Sequence, residues 1–361
     1  MARIDLVDVG KTLTEPGGRR ATFSIRHLDL RIPHGQTTVV LGPSGCGKTT
    51  LLKIIAGLIP PDAGEVRYDD VDVKDLPPGA RRIGMVFQSY ALYPHLDGKT
   101  NVLSYFLFRK KSPELDALKK AKYERTSELM GVELAYLLDR KPTTLSGGEQ
   151  QRVALGRCIT RDASLFLVDE PFANLDQALR EKYRANLKIL LRQFDVTTVY
   201  VTHDHHEALL LAHRLAVMND GTIEQVGTPE AIYDTPVNMF VAEFLNLHLG
   251  TRPISFIDAR HLPRAPALGD AWVGVRPEDV AMSATAHDAG VPGIVTDTLR
   301  LQLGHTTLFT IRVGEHEVHA RVTGNDRDRT GEQVWLTFRR YHVFDKASRL
   351  RLRSEEAGAA S

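Results

Sequence analysis

Residues 42–50 read GPSGCGKTT, and this spacing of glycines, lysine and threonine suits the binding of a polyphosphate. Gly42, Gly45 and Gly47 have no side chain in the way, so successive backbone N–H groups can curl around phosphate oxygens. Pro43, Ser44 and Cys46 fill the loop between them. Lys48 is placed to reach the β and γ phosphates, and the Thr49 hydroxyl, followed by Thr50, is placed to ligate Mg²⁺. A second constellation is SLFLVDEP at 164–171, an apolar run ending in Asp169 and Glu170. A buried parallel strand that ends in two carboxylates presents them at the sheet edge where ligands bind in open α/β sheets. Asp169 fits the acid on the Mg²⁺ side of such a site, and Glu170 fits the general base for an attacking water. The plainer reading makes Glu170 a solvent-exposed strand end. A third cluster is THDHHE at 202–207, where His203 is placed to sense the γ-phosphate from the same sheet edge. His203, His205 and His206 lack the i, i+4 spacing and the partner cluster that a zinc site prefers.

These groups need elements to hold them. The loop follows a β-branched run at 37–41 and precedes a helical pattern with Leu51, Leu52, Ile54, Ile55 and Leu58 on one face. TTVYV at 197–201 is the strand before His203, and Asp204 and Glu207 stand at capping-box spacing, which puts His205 and His206 in a first helical turn. LSGGEQQR at 145–152 has Ser146 and Glu149 at the same spacing, so a helix is predicted to begin there. A capped helix has no need of two adjacent glycines. Gly147 and Gly148 instead bare the helix N-terminus for close approach of an anion.

Around this frame, residues 4–32 read as antiparallel strands separated by EPGG at 15–18, and PPDAGEV at 60–66 reads as turn chemistry. RRIGMVF at 81–87 is a strand ending at Gln88. From Ser89 the chain turns charged and helical, a helical insertion assigned to about 89–150. Residues 214–227 form a hairpin around Asp220–Gly221. Beyond about residue 240 the pattern is all-β, with Phe309, Ile311 and Val313, then Val318, Ala320 and Val322, alternating around Gly314–Glu315. The expected division is an α/β P-loop ATPase domain over 1–240, a small all-β barrel over 241–350 and a disordered tail over 351–361.

At 361 residues the chain is too long for one ordinary core, and 42% hydrophobic with 25% charged residues is a globular composition. Basic and acidic residues number 46 and 45, and residues 241–361 hold 15 of each, so no basic excess argues for nucleic acid. No run of 18 apolar residues exists, and the acidic residues of MARIDLVDVGK do not suit a signal peptide, so a cytosolic location is expected. The two cysteines, Cys46 and Cys158, form no C-x-x-C pair.

In their order, GPSGCGKTT, the glutamine of MVFQSYALYPH (85–95), LSGGEQQR, LFLVDEP, NLD (174–176) and VTHD (201–204) resemble the nucleotide-binding subunit of an ABC transporter. QSYALYPHL and GVRPEDV (274–280) resemble phrases of bacterial carbohydrate importers of the maltose and glycerol 3-phosphate type. The resemblance runs from the start of the chain to roughly residue 345. It implies ATP and Mg²⁺ as cofactors and two such subunits, identical or homologous, sandwiching two ATP molecules. Lys48 and Thr49 of one would face Ser146 and Gly148 of the other. It gives Gln88 the role of a link between Mg²⁺ or water and the membrane partner, and Asp176 that of a link between the two sites. It implies an oligonucleotide-fold-like barrel at the C-terminus, serving dimer contact, docking of a regulator or structural capping. It also implies two membrane-spanning permease subunits, indirect work with a periplasmic or lipid-anchored substrate-binding protein, and a peripheral place at the cytoplasmic face of the membrane. The family usually stacks an aromatic on adenine near residue 13, where this chain has Leu13. Phe23 is the replacement, or the platform is missing. A soluble ABC ATPase without a transporter, or an ATP-dependent module sequestering a regulator, are the alternative functions.

Overall fold

The computed structural model describes residues 2–14, 21–107, 109–110, 112–130, 136–161, 163–172, 180, 184, 187–189, 191, 196–246, 253–263, 268–288, 290–301, 306–324 and 326–356. The chain divides into two compact units, Met1–Pro229 and Glu230–Ser361.

The first unit is built on two sheets. β1 (Ile4–Thr14) and β2 (Ala21–Ile32) pair antiparallel from Ile4↔Ile32 to Thr14↔Ala21. β4 (Ala63–Tyr68) and β5 (Val71–Asp72) extend them to the order β2-β1-β4-β5. The larger sheet has the order β10-β9-β3-β8-β7-β6, from β3 (Thr37–Leu41), β6 (Ile83–Val86), β7 (Leu165–Asp169), β8 (Thr197–Thr202), β9 (Arg214–Asn219) and β10 (Thr222–Gly227). All its neighbours run parallel except β9 and β10, which form the expected hairpin, with Asp220 and Gly221 both at positive φ. The inner strands have no exposed residue, as a sheet covered on both faces requires: β3, β7 and β8 are buried along their whole length. Helix α1 (Lys48–Ala56) follows β3, and its Leu51, Leu52 and Ile55 share one core with Leu6 and Leu28 of the antiparallel sheet and Val40 and Val199 of the parallel one. Fixing α1 between two sheets fixes the loop at its N-terminus.

Residues 60–66, read as a turn, contribute to β4. Gly64 makes that strand possible, because a Cβ there would stand 2.3 Å from the Asp8 carbonyl oxygen where β1 bulges against it. Between β6 and β7 lie the helices α2 (Gly98–Val102), α3 (Pro113–Met130) and α4 (Gly147–Thr160). Val102, Leu137, Leu138, Leu145 and Val153 form their small separate core.

The second unit carries two antiparallel sheets, one in the order β11 (Ser255–Asp258), β12 (Ala271–Val275), β18 (Arg340–Asp345), β19 (Arg351–Glu356), the other in the order β13 (Val280–Ser283), β17 (Gln333–Phe338), β14 (Val291–Leu301), β15 (Thr306–Val313), β16 (His316–Thr323). Val273, Val275, Val295, Phe309, Ile311, Val318, Val334 and Leu336 are buried in their common core. β15 (Thr306–Val313) and β16 (His316–Thr323) close on Gly314–Glu315 as expected. Two expectations are corrected. The unit starts at Glu230 rather than 241, because helices α6 (Pro229–Asp234) and α7 (Met239–Phe244) are tied into it by one buried arginine. Arg276 donates to the carbonyls of Tyr233 (3.0 Å), Ala242 (3.4 Å) and Leu245 (3.3 Å), and its guanidinium lies over the Tyr233 ring. Residues 351–356 are no disordered tail. β19 (Arg351–Glu356) pairs along β18 (Arg340–Asp345), and the charged side chains that made it look like a tail are those of a sheet edge.

Candidate active site

The loop glycines are required for different reasons. Gly45 and Gly47 have φ of 84° and 109°, conformations that L side chains rarely adopt. Gly42 is required for space, since a Cβ there would stand 2.3 Å from the Met218 carbonyl oxygen and 2.7 Å from the Cys46 sulfur. Gly47 is the N-cap of α1 and gives no side-chain cap, which leaves the first N–H groups of α1 available to an anion. Lys48 is buried, and its Nζ donates back to the carbonyls of Gly42 (2.9 Å) and Pro43 (3.0 Å). The same amine stands 3.5 Å from Glu170 Oε1.

β7 brings up the two acids, Asp169 to Thr49 and Glu170 to Lys48. Thr49 Oγ1 donates to Asp169 Oδ1 at 2.9 Å. Burial pushes the Asp169 carboxyl above the usual carboxylate range, against the pull of that hydrogen bond, and the Glu170 charge adds to the push. Glu170 leaves the strand at φ 39°, a backbone region unfavourable to a residue with a Cβ, and its N–H donates to the Val201 carbonyl at 3.1 Å. Its Oε2 lies 3.1 Å from His203 Nδ1, at the end of β8. Parallel pairing of β3, β7 and β8 therefore collects Lys48, Thr49, Asp169, Glu170 and His203 at one sheet edge.

The other residues named from the sequence stand as follows. Phe23 is partly buried beside the loop, so near Gly47 that a Cβ there would lie 2.5 Å from its ring. It faces Leu13 across the β1–β2 pair. Gln88 is exposed just beyond β6. Ser146 caps α4 with both halves of the capping box: its N–H donates to Glu149 Oε2 at 2.7 Å, and the Glu149 N–H donates to Ser146 Oγ at 3.4 Å. Gly147 and Gly148 open that helix. Asp176 lies outside the described residues. Asp204 caps the helix α5 (His205–Leu211), while Glu207 departs from capping-box behaviour and turns inward to the Tyr200 hydroxyl at 2.8 Å.

Two arginines carried no signal in the sequence. Arg157 of α4 donates to the carbonyls of Ala91 (2.7 Å) and Tyr90 (3.0 Å), both at positive φ just past Gln88. It ties the Gln88 loop to the helix that Ser146 begins. Arg184 meets Asp204 and Glu207. A lone arginine in a charged helix has no spacing that marks it.

Strand, glycine loop, helix and an acidic neighbouring strand end place the first unit among the P-loop ATPases. Residues 25–173 match the ABC transporter family and residues 273–344 the TOBE domain. The trehalose/maltose import ATP-binding protein MalK of Thermococcus litoralis is 39% identical, over 96% of this chain and 99% of that protein. The sn-glycerol-3-phosphate import ATP-binding protein UgpC of Escherichia coli K12 is 39% identical, over 90% of this chain and 94% of that one. A solved dimeric structure of the ATP-binding cassette MJ0796 in a post-hydrolysis state, bound to ADP and Pi, superposes with a TM-score of 0.54 at 32% identity, covering 62% of this chain and 98% of that chain. The chain belongs to the ABC transporter family, as an ATP-binding subunit whose ATP hydrolysis is coupled to transport.

Proposed function

We propose that this chain powers the import of a sugar, a polyol or glycerol 3-phosphate. It does so at the cytoplasmic face of the membrane, through two permease subunits that receive substrate from a periplasmic or lipid-anchored binding protein. Its relatives MalK and UgpC are named for import of trehalose/maltose and of sn-glycerol-3-phosphate, which supports this substrate class. Among the described residues no helix is long and apolar enough to cross a membrane, in keeping with separate membrane subunits.

The observation that carries the chemistry is Glu170 standing between Lys48 and His203, at 3.5 and 3.1 Å. Thr49 Oγ1 and Asp169 Oδ1, 2.9 Å apart, are the hard oxygen donors that Mg²⁺ takes, and a buried carboxylate is one whose charge a cation relieves. Thr49, Asp169 and Gln88 would hold Mg²⁺, which when bound neutralises charge on the β and γ oxygens. Lys48 exchanges the carbonyls of Gly42 and Pro43 for γ-phosphate oxygens, which are the stronger acceptors. Glu170 accepts a proton as the water oxygen bonds to the γ phosphorus and the bond to the β-γ bridging oxygen breaks. His203 orients Glu170 and meets the departing γ-phosphate. Ser146, Gly147 and Gly148 of a second copy close over that phosphate with a bared helix N-terminus. Asp176 links the two sites, and Phe23 stacks on adenine.

The test is uptake into proteoliposomes holding this chain and its permease subunits. ATP-dependent uptake of a labelled sugar, polyol or glycerol 3-phosphate is expected. ATP hydrolysis with uptake of none of the three would overturn the import reading.

A further inference from the structure

His203 lies between two residues that are each fastened into a buried polar network. On one side, the Thr202 hydroxyl donates to Glu207 Oε2 at 2.7 Å and accepts from the Asp204 N–H at 2.9 Å. On the other, Asp204 Oδ1 accepts the N–H groups of His206 (2.8 Å) and Glu207 (3.2 Å), while its Oδ2 takes the Arg184 guanidinium. Glu207 is 3% exposed, and its Oε2 also accepts the Tyr200 hydroxyl. Its Oε1 stands 3.7 Å from Arg184 Nε. Arg184 is itself buried; its guanidinium hydrogen-bonds Asp204, beside His203, and stands within ion-pair distance of Glu207 in the helix that follows. Arg180 supports the same Asp204 oxygen from 3.8 Å.

Buried charges contribute little net stability, because desolvation offsets their attraction; what such a network does is hold one geometry. The geometry held here is the approach of His203 Nδ1 to Glu170 Oε2 at 3.1 Å. We propose that Arg184 is a positioning residue for ATP hydrolysis: by bridging Asp204 and Glu207 it sets His203 against Glu170. The proposal rests on the reading that Glu170 and His203 act together in hydrolysis.

The test is Arg184→Gln in the full chain, with Arg184→Lys beside it. Lysine keeps the charge but lacks the fork that reaches two carboxylates. Two quantities are measured: steady-state hydrolysis, and the His203 imidazole signals in protein labelled with ¹⁵N-histidine, assigned with His203→Gln. A misplaced catalytic pair should show as a fall in kcat of about tenfold for Arg184→Gln, with KM for ATP within about twofold, and an intermediate fall for Arg184→Lys. The His203 signals should move in both. Unmoved signals with kcat within about twofold of wild type would overturn the proposal. Moved signals with unchanged kcat would uphold the positioning by Arg184 and sink the role of His203 in hydrolysis instead. If Arg184→Gln does not fold, Arg184→Lys carries the same two measurements.

Discussion

Glu170 holds its carboxylate between a lysine and a histidine from a backbone at φ 39°, and its hydrogen-bonded N–H fixes that conformation. The amide of Glu170→Gln keeps the shape and cannot take the proton, so hydrolysis should fall by about 10²- to 10⁴-fold while ATP binding persists. ATP-dependent dimers should then accumulate on size-exclusion chromatography, and near wild-type hydrolysis would put the base elsewhere. Asp169 makes a different trade. Its folded-state carboxyl titrates above its unfolded value, so its ionised form weighs against the fold, an effect absent at low pH that grows as pH rises through the folded value. Asp169→Asn, measured without Mg²⁺ at neutral pH, should therefore melt at a higher temperature than the wild type. The gain should shrink toward acid pH, and Mg²⁺-dependent hydrolysis should be lost. For Phe23, stacking on a base is worth about 1–3 kcal/mol, so Phe23→Ala should weaken ATP binding about five- to a hundredfold in a titration. Unchanged affinity would leave the adenine to Leu13 or another residue.

At the scale of elements, what could be read in advance was what is local. The strand before Gly42, the helix after Gly47, the capping box at Ser146 and the hairpin at Asp220–Gly221 each declare themselves within about ten residues, through periodicity or turn chemistry. The convergence of Asp169, Glu170 and His203 on Lys48 followed from strand ends alone, because parallel strands of one sheet share an edge. β4 was hidden by Pro60, Pro61 and Gly64, whose turn signals outweigh a short strand defined by its partner β1. β19 was hidden by its charges, since an edge strand needs only backbone pairing and has no apolar alternation to show. Arg157, Arg184 and Arg276 join segments distant in sequence, and such links have no local pattern. β19 yields a test of its own. Ending the chain at residue 349 removes its pairing with β18 and the Arg351 N–H bond to the Val237 carbonyl. The second unit should then melt at least about 4 °C lower by calorimetry, the shift that ~1 kcal/mol makes in a small domain. An unchanged midpoint would make β19 dispensable.

For the whole molecule, the first unit holds every described residue assigned to ATP chemistry, and the second holds none. If the second unit mainly keeps two subunits together between cycles, a chain ending at Pro229 should hydrolyse ATP with a steeper dependence on protein concentration than the full chain, recovering as concentration rises. Equal activity at all dilutions would favour regulation as its role. The central claim is that one copy's Lys48 works with the other's Ser146, whose hydroxyl and N–H now bond within their own helix turn. Mixing a Lys48→Ala chain with a Ser146→Arg chain measures this directly. Random exchange makes half the dimers mixed, each with one intact composite site, so the mixture should reach roughly a quarter of wild-type hydrolysis. A mixture that hydrolyses no more ATP than either variant alone would contradict it.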